Sequence, residues 1–246
     1  MDRILYVSMT GARQILEAQA VVSHNLANAS TGGFRADLQA FASAAIAGDG
    51  FPTRVNVVGA NSGFSHEAGP LTQTGRALDV AIDGAGWLAV QAPDGREAYT
   101  RAGNLRLTPE GALVTASGHP VLGDGGPIAL PPAEQVAVGA DGTITVVPQG
   151  TGPATAAAVA RLKLVNPPAD ALVKGADGLV RRRDGADAPA DAAVRVLSGA
   201  IEGSNVNAAR ALTEMIEYSR LFDMQVKLMG QADQNGQAAQ RLLAAG

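Results

Sequence analysis

The residues able to do acid–base or metal chemistry are few and lie far apart in this sequence. Its three histidines, His24, His66 and His119, stand in different segments. Neither His24 nor His119 has a carboxylate or a second histidine at the spacing that a metal site uses. The sequence contains no cysteine, so thiolate ligands and disulfides are excluded. We therefore expect no metal site and no cofactor.

The carboxylates fit turns better than catalysis. Asp79 and Asp83 are the nearest match to a catalytic pair, but one ends an expected turn and the other begins one, where aspartate stabilises the backbone. The sequence also lacks a phosphate loop, a nucleophile elbow and a dinucleotide fingerprint. We therefore expect a protein that is not an enzyme. Asp-Gly pairs recur at spacings that fit no calcium-binding repeat, starting at Asp49, Asp83, Asp94, Asp124, Asp141, Asp177 and Asp184.

The composition is that of a globular chain of one or two domains. Its 246 residues are 46% hydrophobic, enough to bury a substantial core. A net charge of -4 offers no basic surface for nucleic acid. The single cationic run, 181–183, is followed at once by Asp184 and Asp187. Nucleic acid is therefore not an expected partner.

The sequence has no apolar run near the roughly 20 residues that span a bilayer. The first apolar stretch, Ile4 to Met9, is too short for the core of a secretory signal and is interrupted by Tyr6 and Ser8. We therefore expect a chain that does not span a membrane and is exported, if at all, without a cleaved signal peptide.

Long helices are predicted at both ends, over residues 2–28 and about 204–244, with Gly203, Ser204 and Asn205 supplying the second helix start. Apolar side chains recur there at heptad spacing. In the first helix the stripe consists of Leu5, Ala12, Ile15, Gln19, Val22 and Leu26. In the second it consists of Ala208, Met215, Phe222 and Met229, with Leu212 and Val226 in another row. One partner helix would cover only part of this surface, so we expect both ends to order fully only among neighbouring chains.

The middle of the sequence reads as short strands joined by turns. The patterns predict one hairpin over 80–90 and another over 105–115, with Asp-Gly pairs as hairpin turns. The fold class is therefore α+β, an antiparallel β-rich centre flanked by N- and C-terminal α-helices. The expected domains are a terminal helical domain over 1–41 and 200–246, an extended connector over 42–67, and a β-rich outer domain over 68–199.

Several segments resemble the bacterial flagellar rod and hook protein family. His24 to Asn28 followed by Ser30 to Arg35 resembles the family's asparagine-rich helix end and its Thr-x-Gly-Phe-Lys/Arg turn. Gly33 would permit the positive φ that such a turn requires. Leu71 to Gly86, Tyr99 to Asn104 and Gly199 to Asn207 resemble later family segments. The family positions are Thr31, Gly33, Phe34, Gly75, Leu78, Asp79, Gly84, Gly86, Ser204, Asn205, Val206 and Asn207.

This resemblance implies a structural subunit of the flagellar basal body, most similar to the proximal rod class. It would be exported unfolded by the flagellar type III apparatus, join copies of itself and other rod subunits in the periplasm, and carry torque toward the hook. The resemblance also implies that the terminal helices pair and line the inner tube of a helical tubular assembly. The expected assembly residues are Leu5, Ala12, Ile15, Val22, Asn25, Leu26, Asn28, Leu212, Met215, Ile216, Phe222, Val226 and Met229.

Three alternatives remain open at this point. A distal rod subunit of the same family is the nearest. A periplasmic or cell-surface β-rich binding module, whose terminal helices cap its own sheet, is the second. A hydrolase is the third, and it would require a polar pocket around His66, His119 or Asp83. One departure from the family also stands out, because Ala209 and Arg210 occupy a stretch where relatives usually carry a glutamate.

Overall fold

The computed structural model describes residues 4–45, 55–150 and 156–244. It confirms the α+β class, with two helices flanking a β-rich middle. The described residues form two compact units. The helical unit is drawn from Met1–Ala29, Asp37–Gly63 and Val206–Gly246, and the β unit from Ser30–Ala36 and Phe64–Asn205.

In the helical unit, α1 (Ile4–Ala27) and α2 (Ala208–Ala244) pack against each other. The two-stranded ribbon of β1 (Asp37–Ala45) and β2 (Val55–Phe64) belongs largely to the same unit. None of the described helices is long and apolar enough to cross a membrane.

The second helix begins later than the sequence predicts. Asn207 caps it, because its side-chain oxygen accepts the backbone N–H of Arg210 at 3.1 Å and its carbonyl accepts that of Ala211 at 3.0 Å. The predicted start at residues 203–205 is wrong because Asn205 bonds to the β unit instead, where its N–H donates to the carbonyl of Phe34.

The β unit contains one five-stranded antiparallel sheet, in the order β14-β5-β6-β16-β15, and one three-stranded sheet, β11-β12-β13. The remaining described strands pair as two-stranded ribbons: β17 with β4, β18 with β3, β7 with β8 and β9 with β10. A short 3₁₀ helix, Ala169–Ala171, precedes β15. The strands are β3 (Leu71–Gln73), β4 (Val80–Asp83), β5 (Trp87–Gln91), β6 (Glu97–Thr100), β7 (Leu105–Leu107), β8 (Leu113–Thr115), β9 (Leu122–Gly123), β10 (Gly126–Pro127), β11 (Ala133–Val138), β12 (Thr143–Pro148), β13 (Ala157–Arg161), β14 (Leu164–Val165), β15 (Leu172–Lys174), β16 (Val180–Arg182), β17 (Arg195–Ser198) and β18 (Ala200–Glu202).

Two apolar clusters hold this unit together. The larger joins β4, β5, β7, β8, β12 and β17 around fully buried Val90, Leu105 and Ile144. The smaller gathers around Trp87 and Tyr99 on the other side of the five-stranded sheet. Side chains alternate between the clusters along β5, since Leu88 and Val90 face the first while Trp87 and Ala89 face the second.

Four of the Asp-Gly pairs form the hairpin turns that the sequence predicts. They lie between β5 and β6, β9 and β10, β11 and β12, and β15 and β16. At Asp141 the carboxylate accepts the N–H of Thr143 at 3.1 Å and its hydroxyl at 2.7 Å, and these bonds lower the pKa of Asp141. Asp49 lies outside the described residues.

The hairpin over 105–115 is confirmed, with Leu105 opposite Thr115, but the hairpin over 80–90 is wrong. Strand β4 pairs with β17, where Val80 lies opposite Ser198, while β5 pairs with β6. Gly86, at φ 130°, lies where a Cβ would stand 2.7 Å from Val194. The glycine-rich turn after Asp83 therefore carries the chain from one sheet into another.

The units also differ from the domains expected from the sequence. Residues 42–67 were expected to form an extended connector, but their described part contributes to β1 and β2, which pair with each other. Residues 30–36 and 200–205, expected in the terminal helical domain, belong to the β unit. Their backbone hydrogen bonds explain this, because Gly33 donates to Glu202 and Gly203 donates to Pro70.

Candidate functional site

The expected assembly residues of α1 form most of one face of that helix. Ala12, Ile15 and Val22 are buried, while Leu5, Asn25, Leu26 and Asn28 are partly buried. Buried Ser8, Gly11 and Ala18 complete a row at steps of three and four residues. Gly11 permits close approach of α2, because a Cβ there would stand 3.3 Å from the side chain of Gln225.

The expected residues of α2 divide between two faces. Met215, Phe222 and Met229 are partly buried and share a face with buried Ala211 and Ala232. Leu212, Ile216 and Val226 are exposed on the rest of the helix, at 50%, 56% and 45%. The apolar surface of α2 is thus larger than the part that packs against α1.

Further large apolar side chains, which the heptad pattern did not single out, are exposed on the same helices. On α2 they are Leu221, Met224 and Leu228, and on α1 they are Tyr6, Met9 and Leu16. The exposed fraction reaches 60% at Tyr6. We call the exposed apolar residues of α2 its outward face; they are Leu212, Ile216, Leu221, Met224, Val226 and Leu228. A helix that is hydrophobic around much of its circumference is typical of a helix buried among several neighbours.

The β1–β2 ribbon extends the apolar surface of the helical unit. Phe41 of β1 contacts Tyr218 of α2 edge to face, with ring centroids 6.4 Å apart. Leu38, Val55, Val57 and Val58 are exposed on the ribbon.

The asparagine-rich end of α1 joins the helix to β1. Asn25 donates from its amide to the carbonyl of Asp37 at 2.9 Å and accepts the N–H of Asp37 at 2.8 Å, as a paired strand residue would. Asn28 donates from its side chain to the carbonyl of His24 at 2.9 Å. The expectation that His24 has no nearby carboxylate is wrong, because its Nδ1 lies 2.7 Å from Oδ2 of Asp37. A separation of thirteen residues in sequence hid this pair.

The turn after α1 is part of the β unit. Gly33 has φ 69°, and a Cβ there would stand 2.2 Å from the backbone nitrogen of Ala102, so only glycine fits. The N–H of Phe34 donates to the carbonyl of Thr31 at 3.2 Å and closes the turn. The ring of Phe34 is buried, with Nζ of Lys174 3.9 Å from its centre.

A buried ion cluster joins three of the family-like segments. Glu202, only 1% exposed, lies 2.7 Å from Nη2 of Arg35 and 3.1 Å from Nη1 of Arg101, and it accepts the N–H of Gly69 at 2.9 Å. Both guanidinium groups also face the ring of Trp87, at 5.9 Å and 5.6 Å. Burial lowers the pKa of each arginine, and the charge of Glu202 opposes that shift. The sequence does not predict this cluster, because its three charged residues stand in three separate segments. The one feature that marks them is that each is a single charged residue close to a glycine.

Asn205 forms a second bridge beside this cluster. Its side-chain oxygen accepts the N–H of Ala36 at 2.8 Å, and its amide donates to the carbonyl of Glu67 at 2.9 Å. Arg35 donates to the same carbonyl. Of the other positions in this signature, Ser204 is buried and Val206 partly buried. These bonds lie within the chain, although Nε of Arg35 and Nε of Arg101 are buried without a hydrogen-bond partner, and the signature holds neighbouring segments together.

The family-like segment Leu71 to Gly86 also makes its contacts within the fold. Asp79 is buried and accepts the hydroxyl of Thr74 at 2.7 Å, whereas Asp83 is exposed at the end of β4, so the two carboxylates do not form a catalytic pair. Leu78 packs against the larger cluster. Gly75 and Gly84 have φ near 74° and 78°, which L side chains rarely adopt.

The other two histidines contact neighbouring residues of the chain. His66 packs on Phe64, with ring centroids 4.5 Å apart, and the backbone of His119 donates to Thr115. A cleft of about 460 Å³ contains Lys163, whose Nζ lies 2.6 Å from Oε2 of partly buried Glu97. The described residues contain no group of three or more His, Asp or Glu that could hold a metal ion. The candidate site therefore consists of the exposed apolar surfaces of α1 and α2 together with the family-like segments described above.

Comparison with known proteins agrees with this architecture. Family models match at residues 5–35 (Flagella basal body rod protein), 81–146 (Flagellar hook protein FlgE/F/G D1 domain) and 197–242 (Flagellar basal body rod FlgEFG protein C-terminal). The flagellar basal-body rod proteins FlgF of Salmonella typhimurium and Escherichia coli are 44% and 43% identical to the chain, each over 99% of both proteins. The flagellar basal-body rod protein FlgG of Bacillus subtilis is 33% identical over 95% of the chain and 96% of its own length. The chain belongs to the FlgF family of flagellar basal-body rod proteins and is a structural subunit of the rod.

Proposed function

We propose that this rod subunit polymerises, with copies of itself and with other rod subunits, through the outward face of α2 and the exposed apolar residues of α1. The assembled rod lies in the periplasm and carries torque from the motor toward the hook. The chain reaches it unfolded through the flagellar type III apparatus, without a cleaved signal peptide, and it has no enzymatic role.

One observation carries the proposal. The outward face of α2 exposes six large apolar side chains although the opposite face already packs on α1. Fully burying a Leu, Ile or Met side chain contributes about 1.5–3 kcal/mol, so a second and third helical neighbour would stabilise the assembly strongly. Charged residues interrupt the outward face, among them Arg220, Asp223 and Lys227, and they supply the polar contacts that set partner choice.

Ala209 and Arg210, which depart from the family pattern, lie in a stretch that still contains an ion pair. Nε of Arg210 lies 2.8 Å from Oε1 of Glu214, one turn further along α2. Both groups are on the helix surface, so this pair contributes about 0.5 kcal/mol or less to the helix. It leaves the apolar residues as the main source of assembly energy.

Overall similarity favours the FlgF class over the FlgG class. The identity is 44% to a FlgF relative and 33% to a FlgG relative, over nearly the whole chain in both cases. A binding module whose terminal helices cap its own sheet is disfavoured because both terminal helices expose large apolar side chains.

The test is Ile216→Asp in cells that lack the natural copy, with Gln231→Asp as the control at an exposed polar position of the same helix. Because Ile216 is 56% exposed, the unfolding free energy of the purified chain should change by no more than about 0.5 kcal/mol. Ile216→Asp should nevertheless abolish incorporation into purified basal bodies, since an assembled neighbour would desolvate the carboxylate. Normal incorporation of Ile216→Asp would contradict the proposal.

A further inference from the structure

Three segments of the β unit, residues 30–36, 64–75 and 199–205, are held together mainly by polar contacts. We call them the latch. Glu202 binds Arg35 and the N–H of Gly69, and Asn205 binds Ala36 and Glu67. Residues 199–205 are therefore bonded to both other segments through these two side chains, and Arg35 bonds the other two segments to each other by donating to the carbonyl of Glu67.

The backbone bonds of the latch also run between its segments. The N–H groups of Gly33, Thr74 and Gly203 donate at 2.8 Å to the carbonyls of Glu202, Gly199 and Pro70. Among the described strands, β3 pairs only with β18, and all three residues of β3 are exposed. A two-stranded ribbon is marginally stable by itself.

The rest of the β unit is held differently. Its two apolar clusters contain many fully buried side chains from the sheets, including β4 and β17, and only Phe64 from the latch. Regions with few buried apolar contacts open at a lower free energy than the core that supports them. Because Glu202 and Asn205 each bond to two other segments, releasing either one loosens all three.

We propose that the latch opens and closes as one cooperative unit while the five-stranded and three-stranded sheets stay folded. The latch segments also lie where the chain passes between the two compact units. Every passage of the chain between the two compact units falls at an end of a latch segment, between residues 29 and 30, 36 and 37, 63 and 64, and 205 and 206. The proposal concerns the isolated chain and does not depend on the assembly role.

The test is native-state amide hydrogen exchange on the full-length chain at increasing sub-denaturing urea. The opening free energies of the Gly33, Thr74 and Gly203 amides should converge on one isotherm as the urea concentration rises. That isotherm should lie below the one followed by sheet amides such as Ala89 and Leu162, which donate to carbonyls of the sheet region. Latch amides that follow the sheet isotherm, or that each keep a separate one, would overturn the proposal.

A variant tests the coupling directly. Asn205→Ala removes two hydrogen bonds and should accelerate exchange about ten- to a hundredfold. The acceleration should appear at Thr74 as well as at Ala36, although Asn205 does not bond to Thr74. The control is Gln135→Ala, at an exposed amide side chain of β11. Acceleration at Ala36 alone, or equally at Ala89 and Leu162, would refute the cooperative latch; if the variant does not fold, the wild-type isotherms decide.

Discussion

Replacing Glu202 by glutamine should destabilise the β unit severely. The carboxylate is 1% exposed and is the anion that faces two buried guanidinium groups, at 2.7 Å and 3.1 Å. Glutamine keeps the shape and one acceptor oxygen but removes the charge, so Arg35 and Arg101 would remain buried as cations without a counter-charge. Breaking a buried pair in this way costs about 3–5 kcal/mol. For a chain of this size that loss lowers the melting temperature by roughly 10 °C.

The single tryptophan makes this loss measurable. Trp87 is 6% exposed and lies against both guanidinium groups, so its fluorescence in a urea titration reports on the unfolding of the β unit. Glu134→Gln, which neutralises an exposed carboxylate on β11, is the matched control and should change the unfolding free energy by no more than about 0.5 kcal/mol.

A third variant separates charge imbalance from lost packing. The triple change of Arg35, Arg101 and Glu202 to methionine removes all three charges while keeping similar volume, and it should recover at least half of the loss. A fall of less than about 1 kcal/mol for Glu202→Gln would refute the argument, because the cluster would then be hydrated or the arginines would find other partners.

Two further predictions concern the helices and pH. Phe222 lies on the face of α2 that also holds buried Ala211 and Ala232. Phe222→Asp should therefore lower the melting temperature of the helical unit and block incorporation into basal bodies. Unchanged melting together with normal incorporation would show that Phe222 faces solvent. The pKa of His66 is lowered from 6.5, first by burial and then by the charge of Arg35, so the unfolded chain binds this proton more tightly than the folded one. The unfolding free energy should therefore be fully retained above about pH 6.5 and fall as the pH drops below it; in His66→Gln that part of the urea-denaturation pH profile should be flat, and an unchanged slope would contradict the assignment.

Much of the fold was predictable because its signals are local. The two helices follow from heptad rows, and the hairpin over 105–115 follows from Gly111, which closes its turn with φ 84°. Asp-Gly pairs such as Asp94-Gly95 predict a hairpin because the turn itself requires those residues.

The errors arose where a distant segment decides the outcome. The pattern of β4 looks the same whether its partner is β5 or β17, which lies more than a hundred residues later. The cap of α2 moved to Asn207 because Asn205 is used by segments near residues 36 and 67. The cluster around Glu202 was invisible for the same reason, since each of its charges lies alone in its own motif.

The pairing of β3 with β18 has a consequence for how this chain can vary. Ala200 lies opposite Gln73, and adjacent strands are about 5 Å apart, so the two ends of the intervening polypeptide emerge side by side. Residues inserted at a hairpin tip between them, such as the turn after Asp94, would not change the separation of these ends. Residues 74–199 are in this sense an insertion whose two ends stay a fixed distance apart, so its length can change while β3 and β18 keep their register.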